Sequence, residues 1–440
     1  MKRFWLVLLS LGLIVAFSAS AMAVDVKFSG EYYAAGMYQS KTTLKNDSAT
    51  EGPSTAFYFQ RLRVQTDFVV SPGLSMITRF DAMERAWGAA RSAPSTVQDT
   101  QSQGTAAENE NIAFDMLYVQ YVSPIGIFKV GYQPESTWAT VFGNNSLTAG
   151  KIAYVLPIQN FTLILQLVKH AELSRTAKFN STWSDADYNA YYVMVLYKFK
   201  QGTVGLANFY LDNRTPRGLA NYKDTIPLYV VPFLQAKFGP VAVQAEFLYQ
   251  YGERKYESPS TTEDRDIRQM AGWIDATADF GMFYVGGSGA YISGDDFSTD
   301  KIEGGNLTGG RDWNPCLIMF NSDRQYWAGN QDGHNATANG APMTNAYFAQ
   351  LRAGVRPIDK LDIMASVSYA TADKTPQAVW DSREYGYEID LTATYKITNN
   401  LSYMLGGGYW MVGDYYKGTA AAGQDVDDNF MVINKLTLTF

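Results

Sequence analysis

Two histidines, His170 and His334, and one cysteine, Cys316, are all that the 440 residues offer for general-base, thiol or soft-metal chemistry. Neither histidine has a serine and a carboxylate at a spacing that would build a nucleophilic system. One cysteine and two scattered histidines do not make a metal-ligand set. The sequence therefore supplies no catalytic residue, no metal site and no cofactor site, and the chain is not read as an enzyme. Acidic clusters at Asp295, Asp296 and Asp300 and at Asp425, Asp427 and Asp428 carry the oxygen ligands that calcium prefers, but without EF-hand spacing they read as solvated loop charge.

What remains is the chemistry of fixed charge. Arg61, Arg63, Asp67, Arg79, Asp81, Arg85 and Lys129 fall in the early part of the chain, Glu246, Asp275 and Asp279 in the middle, and Arg352, Arg356, Glu388 and Asp390 later. Each sits in a segment where polar and apolar residues alternate. Fixed charges of this kind select and orient hydrated ions and dipolar solutes, provided that they line water.

The elements that would hold them are strands. Tyr58, Gln60, Leu62, Val64, Thr66, Phe68 and Val70 form one face of such a segment, and Arg61, Arg63, Gln65 and Asp67 form the other. Leu361, Ile363, Ala365, Val367 and Tyr369 alternate with Asp362, Met364, Ser366 and Ser368 in the same way. So do Ile389, Leu391, Ala393, Tyr395 and Ile397 with Glu388, Asp390, Thr392, Thr394 and Lys396. The segments run to roughly 10–14 residues, longer than the usual strand of a soluble sandwich. A charged second face at that length needs a wet interior and a lipid exterior, and so a closed transmembrane β-barrel. The 30 tyrosines, 24 phenylalanines and 9 tryptophans suit the interfacial girdles of such a barrel; Tyr32-Tyr33, Tyr191-Tyr192, Tyr249 with Tyr251, Tyr409-Trp410 and Tyr415-Tyr416 are read as girdle pairs.

Connections alternate between tight and loose. Turn-forming residues at 71–73, 123–126, 158–160, 200–202, 239–240, 281, 358–360 and 398–400 make the tight ones. Loops lie between them at about 41–54, 89–110, 136–149, 172–186, 213–225, 253–266, 294–344, 374–383 and 414–428. Eight turns and nine loops give about 18 antiparallel strands, with 16 as the alternative, short periplasmic turns and long extracellular loops. Pro157, Pro227 and Pro232 mark the weakest strands. In an 18-strand ring the arginines of strands 2 and 3 face Glu246, Asp275 and Asp279 on strands 11 and 12, which predicts a transverse field across the lumen. Arg352 and Arg356 near Glu388 and Asp390 interrupt that two-wall arrangement.

The N-terminus, Met1-Lys2-Arg3 followed by an apolar run to Phe17 and a small-residue stretch ending Ala21-Met22-Ala23, reads as a signal peptide over 1–23, cleaved after Ala23. Its removal takes the formal charge from −7 to −9, which argues against nucleic-acid binding. Residues 24–440 then form one barrel, with the Gly-, Asn- and Asp-rich segment 294–344 as a long extracellular loop. The chain ends Lys435-Leu436-Thr437-Leu438-Thr439-Phe440, alternating into a terminal aromatic.

That terminus is similar to the assembly signal of outer-membrane proteins, and the whole 24–440 segment resembles the Gram-negative porin superfamily, including alginate-export-type barrels. The hairpins that carry the likeness run from Tyr387 to Lys396, through Asn400-Leu401 and into Gly406-Gly407-Gly408-Tyr409. The resemblance implies a water-filled diffusion channel for small hydrophilic solutes in a Gram-negative outer membrane. It implies contact with lipid and lipopolysaccharide, insertion by the barrel-assembly machinery through Leu436, Leu438 and Phe440, and a homotrimer as one assembly state. It also implies that the third loop, 134–149, with Glu135, Trp138 and Phe142, folds inward to constrict the channel. Two other functions stay open: a substrate-specific channel or export duct for an anionic polysaccharide, and a structural or adhesion barrel acting through its long loop.

Overall fold

A computed structural model describes residues 24–44, 54–88, 112–136, 139–173, 185–329, 342–375, 382–418 and 425–440. The expected leader over 1–23, Trp138 and His334 lie outside them. Within them the chain is a closed antiparallel barrel of 18 strands. In chain order these are β1 Asp25–Gln39, β2 Thr55–Ser71, β3 Leu74–Ala86, β4 Ile112–Ser123, β5 Gly126–Ser136, β6 Asn145–Ile158, β7 Phe161–Ala171, β8 Tyr188–Phe199 and β9 Gly202–Asn213. They continue with β10 Tyr222–Phe238, β11 Val241–Tyr256, β12 Arg265–Asp279, β13 Phe283–Ile292, β14 Ala346–Ile358, β15 Leu361–Ala372, β16 Glu384–Lys396, β17 Leu401–Val412 and β18 Asn429–Thr439.

Each strand pairs with its sequence neighbour, and β1 pairs with β18 from Glu31↔Thr439 to Gln39↔Met431, so the sheet has no free edge. The final residue completes this seam, since Phe440 and Gly30 exchange backbone hydrogen bonds of 2.9 and 3.0 Å. The eight tight turns fall between the strand pairs from β2–β3 to β16–β17, which settles the count at 18.

The proline-bearing strands β6 and β10 begin inside segments expected as loops, β6 at Asn145. β10 starts at Tyr222, and its register shifts on both sides around Pro227, between Thr225 and Leu228 and between Ile226 and Tyr229. A bulge there removes the need for the N–H that proline lacks. Pro157 in β6 pairs with Thr162 one residue before the turn, where the ladder is about to end.

Side-chain exposure follows the alternation with the apolar residues outside. On β16, Tyr387, Ile389 and Leu391 are exposed while Glu388 and Asp390 between them are buried. Leu351 is 74% exposed and Phe114 67%, values that a water-facing surface would not favour for residues of this size in a continuous band. The packed core lies inside the barrel, where Phe142, Ile318, Met343 and Trp410 are fully or almost fully buried. The consecutive aromatics on strands split between the two faces, because neighbours on a strand point to opposite sides, whereas Tyr415 and Tyr416 sit on a short 3-10 turn, are both buried and are not girdle residues. Tyr33, Tyr192 and Trp410 are buried inside, whereas Tyr191 and Tyr409 are exposed outside and fit the girdle.

Candidate functional site

The inner wall carries charge in local pairs. Arg63 makes a bidentate contact with Asp81 directly across β2–β3, both bonds 2.7 Å. Arg79 bonds Asp115 of β4 at 3.0 and 3.1 Å through Nε, and Arg63 lies 3.9 Å from the same carboxylate. Arg61 stands 3.4 Å from Glu84 and 4.0 Å from Glu31. On the far wall Arg352 of β14 reaches across β13 to Asp275 of β12, at 2.7 and 2.8 Å. Near the short turns Arg356 bonds Asp279 at 3.0 and 3.1 Å and Asp362 at 3.0 Å, and lies over the ring of Tyr284. Planar guanidinium–carboxylate pairs of this kind hold both side chains in place.

The expected placement of arginines on β2 and β3 opposite acids on β11 and β12 therefore has a different consequence from a transverse field. Each guanidinium meets a carboxylate on its own wall, so little net charge is separated across the lumen. Lys129, opposite Gln120 on β4 and Ala153 on β6, shares the inward face and has no ion pair among the described residues. Asp67, also inward, accepts from Gln65 at 3.0 Å.

Arg85 is a correction. Met83 adopts φ 53° and the β2–β3 register shifts between Gln60 and Leu62, so the alternation of β3 slips by one residue. Glu84 meets Arg61 inside, while Arg85 pairs opposite Gln60 on the outer face with Tyr58 and Leu62.

Two loops enter the lumen. The one between β5 and β6 crosses to β10 and β11. Glu246 of β11, 4% exposed, accepts from the Thr140 amide at 3.1 Å and from the Thr140 hydroxyl, and Gln235 of β10 donates to the Ala139 carbonyl at 2.9 Å. Gly143 passes so close that a Cβ there would meet Glu246 Oε1 at 2.1 Å, which only glycine permits. Phe142 stacks on Trp273 of β12 at 5.8 Å and 6°. It therefore anchors the loop to the wall. Glu135, buried at the base of this loop, accepts from the Tyr192 hydroxyl and lies 3.9 Å from His170.

The long segment between β13 and β14 also turns inward. Its Asn306 and Leu307 amides bond Gln269 of β12 at 2.9 Å each, and its Arg311 amide bonds Asn145 at 2.9 Å. Trp313 packs on Phe142 and Phe348. The Ile318 and Met319 amides donate to the two oxygens of Glu388, each at 2.7 Å, and the Leu317 amide lies 3.4 Å from Asp390 Oδ2. At Gly408 a Cβ would meet Asp390 Oδ1 at 2.6 Å and Leu317 Cβ at 3.2 Å, so the absent side chain is what admits the loop. A short helix, Ser322–Ala328, capped by Asn321, then lays Trp327 on Phe59 of β2 at 4.4 Å. Within it Arg324 is 3% exposed, and burial pulls its guanidinium down to about 10, still cationic at neutral pH.

Sequence reasoning did not single out Asp115 or Glu84, nor the role of Glu246, Glu388 and Asp390 as acceptors of loop amides. The Cys316, Glu388 and Asp390 ligand atoms lie within 4.8 Å of one another, but both Glu388 oxygens and Asp390 Oδ2 already face loop amides. Leu436, Leu438 and Phe440 share the outer parity of β18, and Lys435, just before them, faces inward, 4.4 Å from the Tyr33 ring centre.

No protein-family model and no curated protein sequence matches the chain. Solved structures do. The outer-membrane protein OpdK from Pseudomonas aeruginosa superposes with a TM-score of 0.52 at 11% identity, covering 94% of this chain and 99% of its own. Pseudomonas aeruginosa OccK9 (OpdG) gives 0.53 at 13% identity, covering 94% and 99%. OccK2 (OpdF) from the same organism, solved in complex with glucuronate, gives 0.51 at 12% identity, covering 94% and 98%. Over nearly its whole length, then, the chain has the β-barrel fold of these Pseudomonas aeruginosa outer-membrane proteins.

Proposed function

We propose that the chain is a Gram-negative outer-membrane porin that passes small hydrophilic solutes and ions by passive diffusion, with its two inward loops setting the width. The observation that carries this is a closed barrel with an apolar exposed exterior, a paired-charge inner wall, and loops bonded to that wall instead of projecting from it. A neighbour of the same fold binds glucuronate, a small hydrophilic solute of the class in question. The reading includes no catalytic step. It includes a leader over 1–23, insertion by the assembly machinery through Leu436, Leu438 and Phe440, lipid and lipopolysaccharide outside, and assembly as a homotrimer.

A wide duct for an anionic polysaccharide gains no support, because the inward guanidiniums are met by carboxylates and two loops cross or line the lumen. An adhesion barrel working through an outward loop is disfavoured by the docking of 306–319 on the inner wall. The test is single-channel recording of the refolded protein in a planar bilayer in potassium chloride. Steady discrete steps support the pore, and a bilayer that stays silent with inserted, folded protein overturns it.

A further inference from the structure

The lumen side holds a half-open cavity of about 210 Å³, bounded by β7–β11, the β5–β6 loop and the start of the long segment. That is below the roughly 300 Å³ of the smallest drug-sized sites and suits a single small ring. We propose that it is a binding site for one neutral sugar ring, which would make the pore selective for neutral sugars. The assignment deepens the porin reading and rests on it for the route by which the solute arrives.

Aromatic rings form one side. His170 lies over Tyr188 at 4.5 Å, and Phe209 packs between Tyr192 and Tyr229 at 4.4 and 4.9 Å. Such faces cover the apolar C–H patches of a pyranose. Gln250 points into the space from β11; it is 4% exposed, its amide interacts with Tyr229, and its Oε1 has no hydrogen-bond partner among the described residues. A buried acceptor left open costs free energy until something donates to it, so its position calls for a ligand with O–H or N–H groups.

Charge narrows the choice of ligand. The lining carboxylates are already engaged: Glu246 holds the Thr140 amide and hydroxyl, and Glu135 takes the Tyr192 hydroxyl beside His170. Anionic sugars would meet both carboxylates with no lining lysine or arginine opposite. Tyrosine hydroxyls, Gln250, Asn306 and Thr308, among the remaining polar groups, are neutral and both donate and accept, as sugar hydroxyls do. Asn306 and Thr308 belong to the long segment and Gly143 to the other loop, so an occupant touches both constricting elements.

The test uses full-length refolded protein in an amine-oxide detergent, which carries no sugar headgroup. Saturation-transfer NMR with D-glucose, D-glucuronate and choline is read on the wild type, Gln250→Leu and Tyr188→Ala, each checked for barrel formation by heat-modifiable gel mobility. Transfer to glucose, little to the other two, and a loss of affinity of about fivefold to tenfold in Gln250→Leu are expected. No transfer to glucose, equal transfer in wild type and both variants, or transfer to choline or glucuronate in its place overturns the assignment. Conductance in potassium chloride without sugar judges the pore separately: a conducting channel that ignores glucose sinks the sugar site alone.

Discussion

The charges of β2–β4 and those of β11 and β16 look alike along the chain yet are satisfied in different ways. On the first wall Arg63, Arg79, Asp81 and Asp115 neutralise one another side chain to side chain and stay partly exposed on the inner face. On the other, Glu246, Glu388 and Asp390 are buried, and backbone amides of the two inward loops meet them. A carboxylate opposite an arginine makes a pore lining, and a carboxylate opposite a loop amide makes a latch. What separates the two is the partner.

The strongest way to break this contrast is to remove the latch and leave the lining intact. Glu388→Gln with Asp390→Asn keeps the shape but sets an NH2 group where an oxygen now accepts a loop N–H, at about 1–3 kcal/mol for each buried donor left unmet. Single-channel conductance should rise about twofold or more as 315–319 leaves the wall, with heat-modifiable mobility unchanged. Unaltered conductance would show that this segment does not limit the pore. Glu246→Gln tests the second latch. It should open the channel less, because Phe142 remains stacked on Trp273 and Gln235 still holds Ala139. If it opens the channel more, the β5–β6 loop is the narrower element.

The barrel was legible because its signal has a period of two and recurs along the chain; β16, with Ile389 and Leu391 outside and Glu388 and Asp390 inside, reads the same way in sequence and structure. The turns were legible because glycine, proline and asparagine mark them. The latches were not. Every residue but proline has a backbone N–H, so nothing in the sequence distinguishes the amides of Ile318 and Met319, and Glu388 reads as one more hydrated lumen charge. Arg85 was misplaced because one bulge at Met83 reverses the alternation beyond it. The Arg352–Asp275 pair spans two strand positions and depends on the register of three strands, which alternation alone cannot supply.

The lining is sharpened by neutralising one member of a pair and then both. Arg63→Gln leaves Asp81 facing the lumen without its arginine, while Asp115 keeps Arg79, and should move the permeability ratio toward cations by about twofold to fivefold, read from reversal potentials in a salt gradient. Arg63→Gln with Asp81→Asn should return it close to wild type. If the double variant stays as cation-selective as the single one, the pair is not what holds the wall neutral. Lys129→Gln, with no partner to expose, should give a smaller shift than Arg63→Gln.

The smallest effect belongs to a pair outside the strands. Asp296, at the start of the long segment, bonds Ser298 and Lys374, whose donors hold its carboxyl well below the usual carboxylate range, while Asp296 raises Lys374. A depressed carboxyl contributes stability that is full above its unfolded value near 3.8 and is lost only as pH falls through the lower folded value. This link should therefore hold from neutral pH to below pH 4, and Asp296→Asn should leave conductance within about twofold of wild type, as for most exposed ion pairs. Its signature is local, a faster amide exchange at 296–299 in hydrogen–deuterium measurements at pH 7. Should Asp296→Asn instead open the channel as far as Glu388→Gln with Asp390→Asn, the segment would be held at its base, and the buried carboxylates would be lining after all.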